Sequence, residues 1–256
     1  MKLPRNDITE KMKPKNLTIS PNSDTLAQVF AEHFAQKADE AIRARGHFLA
    51  VLSGGGTPLK AYRLLAQEPF KSKIAWEKVH LFWGDERFVP QDDPQSNFYQ
   101  AKEVLLDHVN IPAENLHPMP THLSVDEVVN AYSQTLRSFA ESSQKQIRFD
   151  LVLLGLGDDG HTASLFVGQS ALWTNPVITT EGDYQGRPAT RLTLTPVVIN
   201  QAREVVFMVS GASKADALAN ALGEERDIDR FPSQAIAPKN GILRWMVDED
   251  VAKKIS

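Results

Sequence analysis

The hydrophobic positions of the chain follow two rhythms that take turns. Nearly unbroken apolar runs stand at 48–52 (FLAVL), 149–154 (FDLVLL) and 204–209 (EVVFMV), the pattern of strands buried on both faces of a parallel sheet. The run at 149–154 is read as a mid-sheet strand. Residues 78–83 alternate at first and turn apolar at their end, and 176–180 and 241–247 are further strands. Residues 190–195 (TRLTLT) alternate cleanly, which predicts a half-buried strand with Arg191, Thr193 and Thr195 on one face.

Between these runs the spacing becomes helical. Leu26, Val29, Phe30, Phe34, Ala38, Ala41 and Ile42 form a stripe, with Asn22 or Ser23 as the cap and Gly46 just past the end. Ser124 and Glu127 make a capping box ahead of Val125, Val128, Val129, Tyr132, Leu136 and Phe139. A short helix is expected at 97–108 and another around Ala217, Leu218, Ala221 and Leu222. Residues 111–122, with three prolines, read as a connecting loop, and 182–188 as a hairpin or loop. Strands alternating with helices predict a single α/β domain with a mostly parallel sheet and helices on both faces. It is drawn at 21–250, behind a flexible N-terminal extension at 1–20.

Composition narrows the partners. The 256 residues are 42% apolar and 23% charged, enough for one substantial core. A net charge of −4 without a basic block argues against nucleic acid, and an anionic ligand would need a local basic pocket. With no cysteine there is neither a disulfide nor a thiolate metal site, which fits a reducing, cytoplasmic setting. No apolar run approaches the roughly 20 residues that span a bilayer. The first sixteen residues contain Asp7 and Glu10 and no apolar core of a signal sequence, so a soluble N-terminus is expected.

Candidate chemistry collects at strand ends, where open α/β sheets bind their ligands. After 149–154 come Gly155, Gly157, Asp158, Asp159, Gly160 and His161, with a helix expected to start at Thr162 or Ser164. Acids, glycines and a histidine packed together favour a site over a bare turn. The same letters satisfy G-x-G-x-x-G, with Glu181 near the distance of a ribose-binding acid. That dinucleotide reading is rejected, because two carboxylates ahead of the helix would repel a pyrophosphate and Gly168 interrupts the crossover helix. After 48–52 come Ser53, Gly54, Gly55, Gly56, Thr57 and Pro58, with Thr57 expected to cap a helix and Pro58 to open it. Free N–H groups there make a phosphate cradle, without the Gly-Lys-Ser/Thr ending of a nucleotide loop. After 78–83 come Gly84, Asp85, Glu86 and Arg87, a second site candidate whose bland alternative is a surface ion pair. A turn-rich loop at 91–97 follows. Lys214, in the first turn of the helix after 204–209, opposes the dipole unless an anion is bound, and would otherwise be a solvated lysine.

Taken together, the Ser53–Pro58 loop, Gly84-Asp85-Glu86-Arg87 with Ser96-Asn97, and 155–166 (GLGDDGHTASLF) resemble 6-phosphogluconolactonase, in order and spacing from about 20 to 250. The resemblance implies a modified Rossmann-like domain shared with glucosamine-6-phosphate deaminase/isomerase. It also implies a phosphosugar lactone as substrate and hydrolysis of 6-phosphogluconolactone, the second step of the oxidative pentose phosphate pathway. No metal is demanded, because a δ-lactone is already electrophilic, and no cofactor is expected. Ser53, Gly54, Gly55, Thr57, Arg191 and Lys214 would hold the sugar phosphate. His161 would be the base, Asp159 or else Asp85 its orienting acid, and Arg87 the contact to the lactone oxygen. Deaminases typically read Asp-Glu-Tyr where this chain has Asp85-Glu86-Arg87, and carry a glutamate at the position of Phe166, so the lactonase branch is favoured. One departure is Val167-Gly168, where lactonases commonly read Pro-Gly. The alternatives are a deaminase-type enzyme and a non-catalytic sugar-phosphate sensor. A sensor would be expected to bring a DNA-binding helix pair, for which the N-terminal extension is too short. The oligomeric state stays open between monomer and homodimer.

Overall fold

Chain segments that are apolar at every position become the middle of a parallel sheet. The computed structural model describes residues 16–140, 147–182, 186 and 188–255. Seven strands, β1 (Leu17–Ser20), β2 (Phe48–Leu52), β3 (Val79–Trp83), β5 (Leu116–His117), β6 (Leu151–Leu154), β9 (Glu204–Val209) and β10 (Ile242–Asp248), form one sheet in the order β1-β10-β9-β6-β2-β3-β5, every pair parallel. All residues of β2, β6 and β9 are buried, and β6 holds the centre as expected. Three further strands, β4 (Asp85–Arg87), β7 (Val177–Glu181) and β8 (Thr190–Leu194), make a separate antiparallel sheet in the order β4-β8-β7.

Both faces of the main sheet are covered. In register, Phe48 pairs with Val79 and Val51 with Phe82, so Phe48 and Phe82 project from opposite faces. Phe34, on the helix Ser23–Arg45, sits edge-on to Phe48 at 5.2 Å. Phe139, at the end of the helix Val125–Ser138, sits edge-on to Phe82, also at 5.2 Å. The caps follow the sequence. The Asn22 side chain accepts from the backbone N–H of Asp24 and Thr25, Gly46 ends the first helix at φ 83°, and Ser124 and Glu127 close their capping box.

Two buried tyrosines fix the places where the strands give way to loops. The Tyr62 hydroxyl donates to Ser53 O at 2.9 Å and accepts from Ser53 N at 3.0 Å, just beyond β2. The Tyr132 hydroxyl accepts from Trp83 N at 3.2 Å, at the end of β3. Burial pushes both phenols above their ordinary pKa, so both stay neutral donors.

Several expectations are corrected. The extension drawn to residue 20 is too long, because Leu17–Ser20 is an edge strand on β10; the boundary at 250 is too early, because Val251 and Ala252 are buried in a terminal helical turn. The loop at 111–122 supplies the opposite edge strand, β5, kept short by the prolines that flank it. β8 is buried from Arg191 to Leu194 rather than half-buried, since the second sheet packs into the molecule. The helix expected at 97–108 stops at Val104 and continues as a 3-10 turn. The hairpin at 182–188 lies largely outside the described residues.

Candidate active site

The strand order reverses between β2 and β6. From β2 the chain moves outward through β3 to β5, then returns to β6 and moves the other way through β9 to β10. The loops after β2 and β6 therefore part from each other at the carboxyl edge, where a crevice forms without any special device. A cleft of ≈340 Å³ occupies that place. Ser53, Gly54, Gly55, Thr57, Asp85, Arg87, His161, Arg191 and Lys214 all line it, and Asp159 stands behind His161.

The loop after β6 is a tight turn, not the start of a helix. Gly157 N donates to His161 O at 2.8 Å and Gly160 N to Gly157 O at 3.1 Å, with Gly160 at φ 90°. Thr162 and Leu165 form an isolated antiparallel bridge, and Ala163 between them sits at φ 49°, a left-handed conformation that an alanine rarely adopts. Such strain is held by surrounding structure and collects at functional sites. Here Thr162 Oγ1 donates back to Gly155 O at 2.8 Å, and Ser164 is buried. The turn presents His161. One carboxylate oxygen of Asp159 takes both the His161 backbone N–H at 3.0 Å and ring Nδ1 at 2.6 Å. Burial of the Asp159 carboxyl acts to raise its pKa, but the contacts from His161 outweigh it and hold the group below its ordinary value. An ionised Asp159 favours the imidazole tautomer that carries its proton on Nδ1. Phe166 lies 5.3 Å from the imidazole, ring to ring.

The second sheet brings in the arginines. Arg87 and Arg191 are directly paired across β4 and β8, so both side chains leave the same face. They are buried to 8% and 4% exposure. Two cations so placed put positive charge on one wall of the cleft, where an anion would be favoured. Arg87 donates through Nη1 to Gln95 O at 2.7 Å and Arg191 through Nε to Pro188 O at 2.7 Å. Nε of Arg87 is buried with no partner among the described residues.

Asp85-Glu86-Arg87 is thus no surface ion pair. Glu86, 1% exposed, accepts the backbone N–H groups of Arg87, Asn97 and Phe98 at 2.8, 2.6 and 2.9 Å and the Ser96 hydroxyl at 2.9 Å. Burial pushes its pKa up by more than those four donors pull it down, so the carboxyl stands above its ordinary value. Asp85 accepts from Ser164 Oγ at 2.7 Å and from Asn97 Nδ2 at 3.3 Å, which ties the β6 loop to the second sheet. The carboxylate in contact with the imidazole, at 2.6 Å, is that of Asp159.

On the other wall the helix starts at Gly56, one residue before the expected cap. Thr57 therefore lies inside the first turn and shares a hydrogen bond with Ser210 Oγ at 2.8 Å, joining the loops after β2 and β9. A Cβ on Gly54 would meet Asn97 Oδ1 at 1.9 Å, so a side chain there would push Asn97 off Asp85. Lys214 closes a 3-10 turn, Ala212–Lys214, and so precedes the helix Ala215–Ala221 instead of lying within it. Burial lowers its pKa, and Asp158 partly restores it. Glu181, the acid of the rejected dinucleotide reading, is exposed at the end of β7 and does not line the cleft. Among the described residues no group of three or more histidines and carboxylates is placed to hold a metal ion.

Residues 21–245 match the model of the family described as glucosamine-6-phosphate isomerases/6-phosphogluconolactonase. The chain belongs to that family. Within it, a 6-phosphogluconolactonase of a Nostoc species is 40% identical over 94% of this chain and 99% of its own length. A 6-phosphogluconolactonase of a Synechocystis species is 43% identical over 84% and 88%. The solved 6-phosphogluconolactonase of Trypanosoma brucei superposes with a TM-score of 0.84 at 26% identity, covering 95% of this chain and 99% of that one. The modified Rossmann-like fold expected from the resemblance is the fold of the family.

Asn97, Asp158 and Ser164 stand inside the sequence motifs without a role of their own there, and the structure puts each of them, with Ser210, into the hydrogen-bond frame of the site. Each sits in a polar, turn-rich stretch where one small polar residue resembles the next, so the letters alone do not say which of them reaches a partner. No described helix is long and apolar enough to cross a membrane.

Proposed function

We propose that the protein is a 6-phosphogluconolactonase, hydrolysing 6-phospho-D-glucono-1,5-lactone to 6-phospho-D-gluconate. The observation that carries this reading is the Asp159–His161 pair at 2.6 Å, opening onto a cleft that also holds the opposed Arg87 and Arg191. Family membership over nearly the whole chain, and the names of the relatives, support it.

Nε2 of His161 takes a proton from water as the water oxygen bonds to the lactone carbonyl carbon, and the carbonyl electron pair moves onto oxygen. Arg87 stabilises that oxyanion. When it collapses, the ring C–O bond breaks, and the proton held by His161 passes to the departing oxygen, which becomes a hydroxyl. The new carboxylic acid loses its proton to solvent. Arg191, Lys214 and the N–H groups of the loop from Gly54 to Thr57 hold the phosphate beside the Ser53 side chain, with Lys214 and Arg191 supplying charge. Asp159 orients the imidazole, and Asp85 acts on the frame through Ser164 and Asn97. Phe166 stands where a deaminase would carry its glutamate, so glucosamine 6-phosphate should not be turned over. A cytoplasmic location belongs to the same proposal and is checked by cell fractionation.

The test is hydrolysis of freshly generated lactone, coupled to 6-phosphogluconate dehydrogenase, beside a no-enzyme control because the lactone opens unaided. Wild type should accelerate it, and His161→Ala should lose about 10²–10⁴-fold in kcat with binding retained. An unaltered rate in His161→Ala rules out the base; no acceleration by wild type rules out the activity.

A further inference from the structure

Asp158 stands immediately before the Asp159–His161 pair and faces the cleft without joining it. Its Oδ1 accepts from Ser213 Oγ at 3.3 Å, linking the loop after β6 to the loop after β9 one residue from Lys214. The lysine is half-buried and the aspartate exposed, and the charge of Asp158 acts on the ammonium. A phosphate drawn to Lys214 must therefore approach a carboxylate already in that field. Nothing in the water activation described above uses Asp158.

We propose that Asp158 sets the affinity of the cleft for phosphate: it is a counter-charge near Lys214 that weakens phosphate binding and so lets the phosphorylated product leave. The inference rests on the phosphate assignment made under the proposed function. Its physical logic is that a phosphate remote from the reacting carbonyl is bound equally in substrate, transition state and product. Tighter binding of such a group lowers KM without raising kcat, and slows release. A carboxylate beside the lysine holds that uniform binding down. Because Asp158 is exposed, the effect is screened by water and salt and should amount to about 3–10-fold at low ionic strength.

The test titrates inorganic phosphate into wild type, Asp158→Asn and Asp158→Glu by calorimetry at low and high salt. KM, kcat and inhibition by 6-phosphogluconate are measured on the same proteins. Asp158→Asn should bind phosphate about 3–10-fold tighter at low salt, with the gap closing at high salt. KM and the product inhibition constant should fall together, kcat should not rise, and Asp158→Glu, which keeps the charge, should stay on the wild-type side. Equal or weaker phosphate binding by Asp158→Asn, in a protein with unchanged Tm, overturns the proposal. Tighter binding in a chain that does not hydrolyse the lactone would remove the lactonase reading and leave this one standing. Lactone hydrolysis with unaltered phosphate affinity would do the reverse.

Discussion

A Cβ on Gly157 would lie 2.1 Å from Nδ1 of His161 and 2.8 Å from Oδ1 of Asp159, inside the hydrogen bond that holds the imidazole. The glycine is therefore what lets Asp159 and His161 meet. Both neighbours belong to the same short turn, so the clash is resolved by moving the ring and not by shifting a flexible side chain elsewhere.

Gly157→Ala should consequently damage turnover more than folding. A displacement of about 1 Å at a reacting group can cost on the order of 10²-fold. Kinetics and thermal melting of the variant check this: kcat should fall by that order with Tm lowered by only a few degrees. A fully active Gly157→Ala would mean that the 2.6 Å pair does not position the base.

The opposed arginines make a separate prediction. Arg87 and Arg191 are paired across β4 and β8 and line the cleft, and Lys214 adds a third cation to it. An anion that binds the folded state should stabilise it by mass action. Inorganic phosphate should therefore raise the Tm of wild type, and Arg191→Ala or Lys214→Ala should blunt the rise. The same two variants should raise KM for the phosphorylated lactone about 10-fold or more, the order expected for a lost charge-assisted hydrogen bond. An equal effect on an unphosphorylated lactone would show that the phosphate is held elsewhere.

Acid should destabilise the fold in two stages. His117 stacks on His80 at 5.4 Å and on Phe82 at 4.4 Å; burial, then the neighbouring His80, brings its pKa down to about 4. Its unfolded value is about 6.5, so the unfolded chain binds the proton first. The stability this group contributes is complete above pH 6.5 and is lost as pH falls through 4. Burial acts to raise the pKa of Glu204, but hydrogen bonds from His33 at 3.1 Å and Arg244 at 2.7 Å bring it to about 2. Its contribution is complete above about pH 4.5 and is lost toward 2. Urea unfolding across pH should show both windows, and His117→Phe should flatten the first and leave the second. An unchanged slope between pH 6.5 and 4 in that variant would place the titrating group elsewhere.

The sheet was legible because its strands are apolar throughout: 48–52 and 204–209 correspond residue for residue to β2 and β9. The first helix was legible because Asn22 and Gly46 are local signals that need no tertiary partner. The candidate site was legible as residue types at strand ends, since ligand position follows from sheet topology. What escaped was decided by distant partners. Asp85-Glu86-Arg87 stands out as a site candidate at a strand end, but its burial was not legible, because it comes from pairing with β8. The segment after His161 has helix-forming letters, but Ala163 is turned into the left-handed region by a bridge that no local pattern announces. The facing of Arg87 and Arg191 depends on a register between strands far apart in the chain.

Glu86 gives the last prediction, and it separates support from chemistry. Its carboxylate accepts four donors and caps the helix Asn97–Val104, whose first residue, Asn97, holds Asp85. A carboxylate meets N–H and O–H donors with both oxygens, whereas a glutamine amide must turn one N–H₂ toward donors that it cannot satisfy. Glu86→Gln should therefore lose about 2–4 kcal/mol of stability, the range for a broken buried network, although the side chain is nearly isosteric. The lost cap should also loosen Asn97 and with it Asp85, so kcat should drop with Tm and both should recover partly when phosphate occupies the cleft. Chemical denaturation measures the first effect and kinetics with and without phosphate the second. A Glu86→Gln protein as stable as wild type would mean that Glu86 is protonated in the fold and already donates one hydrogen bond.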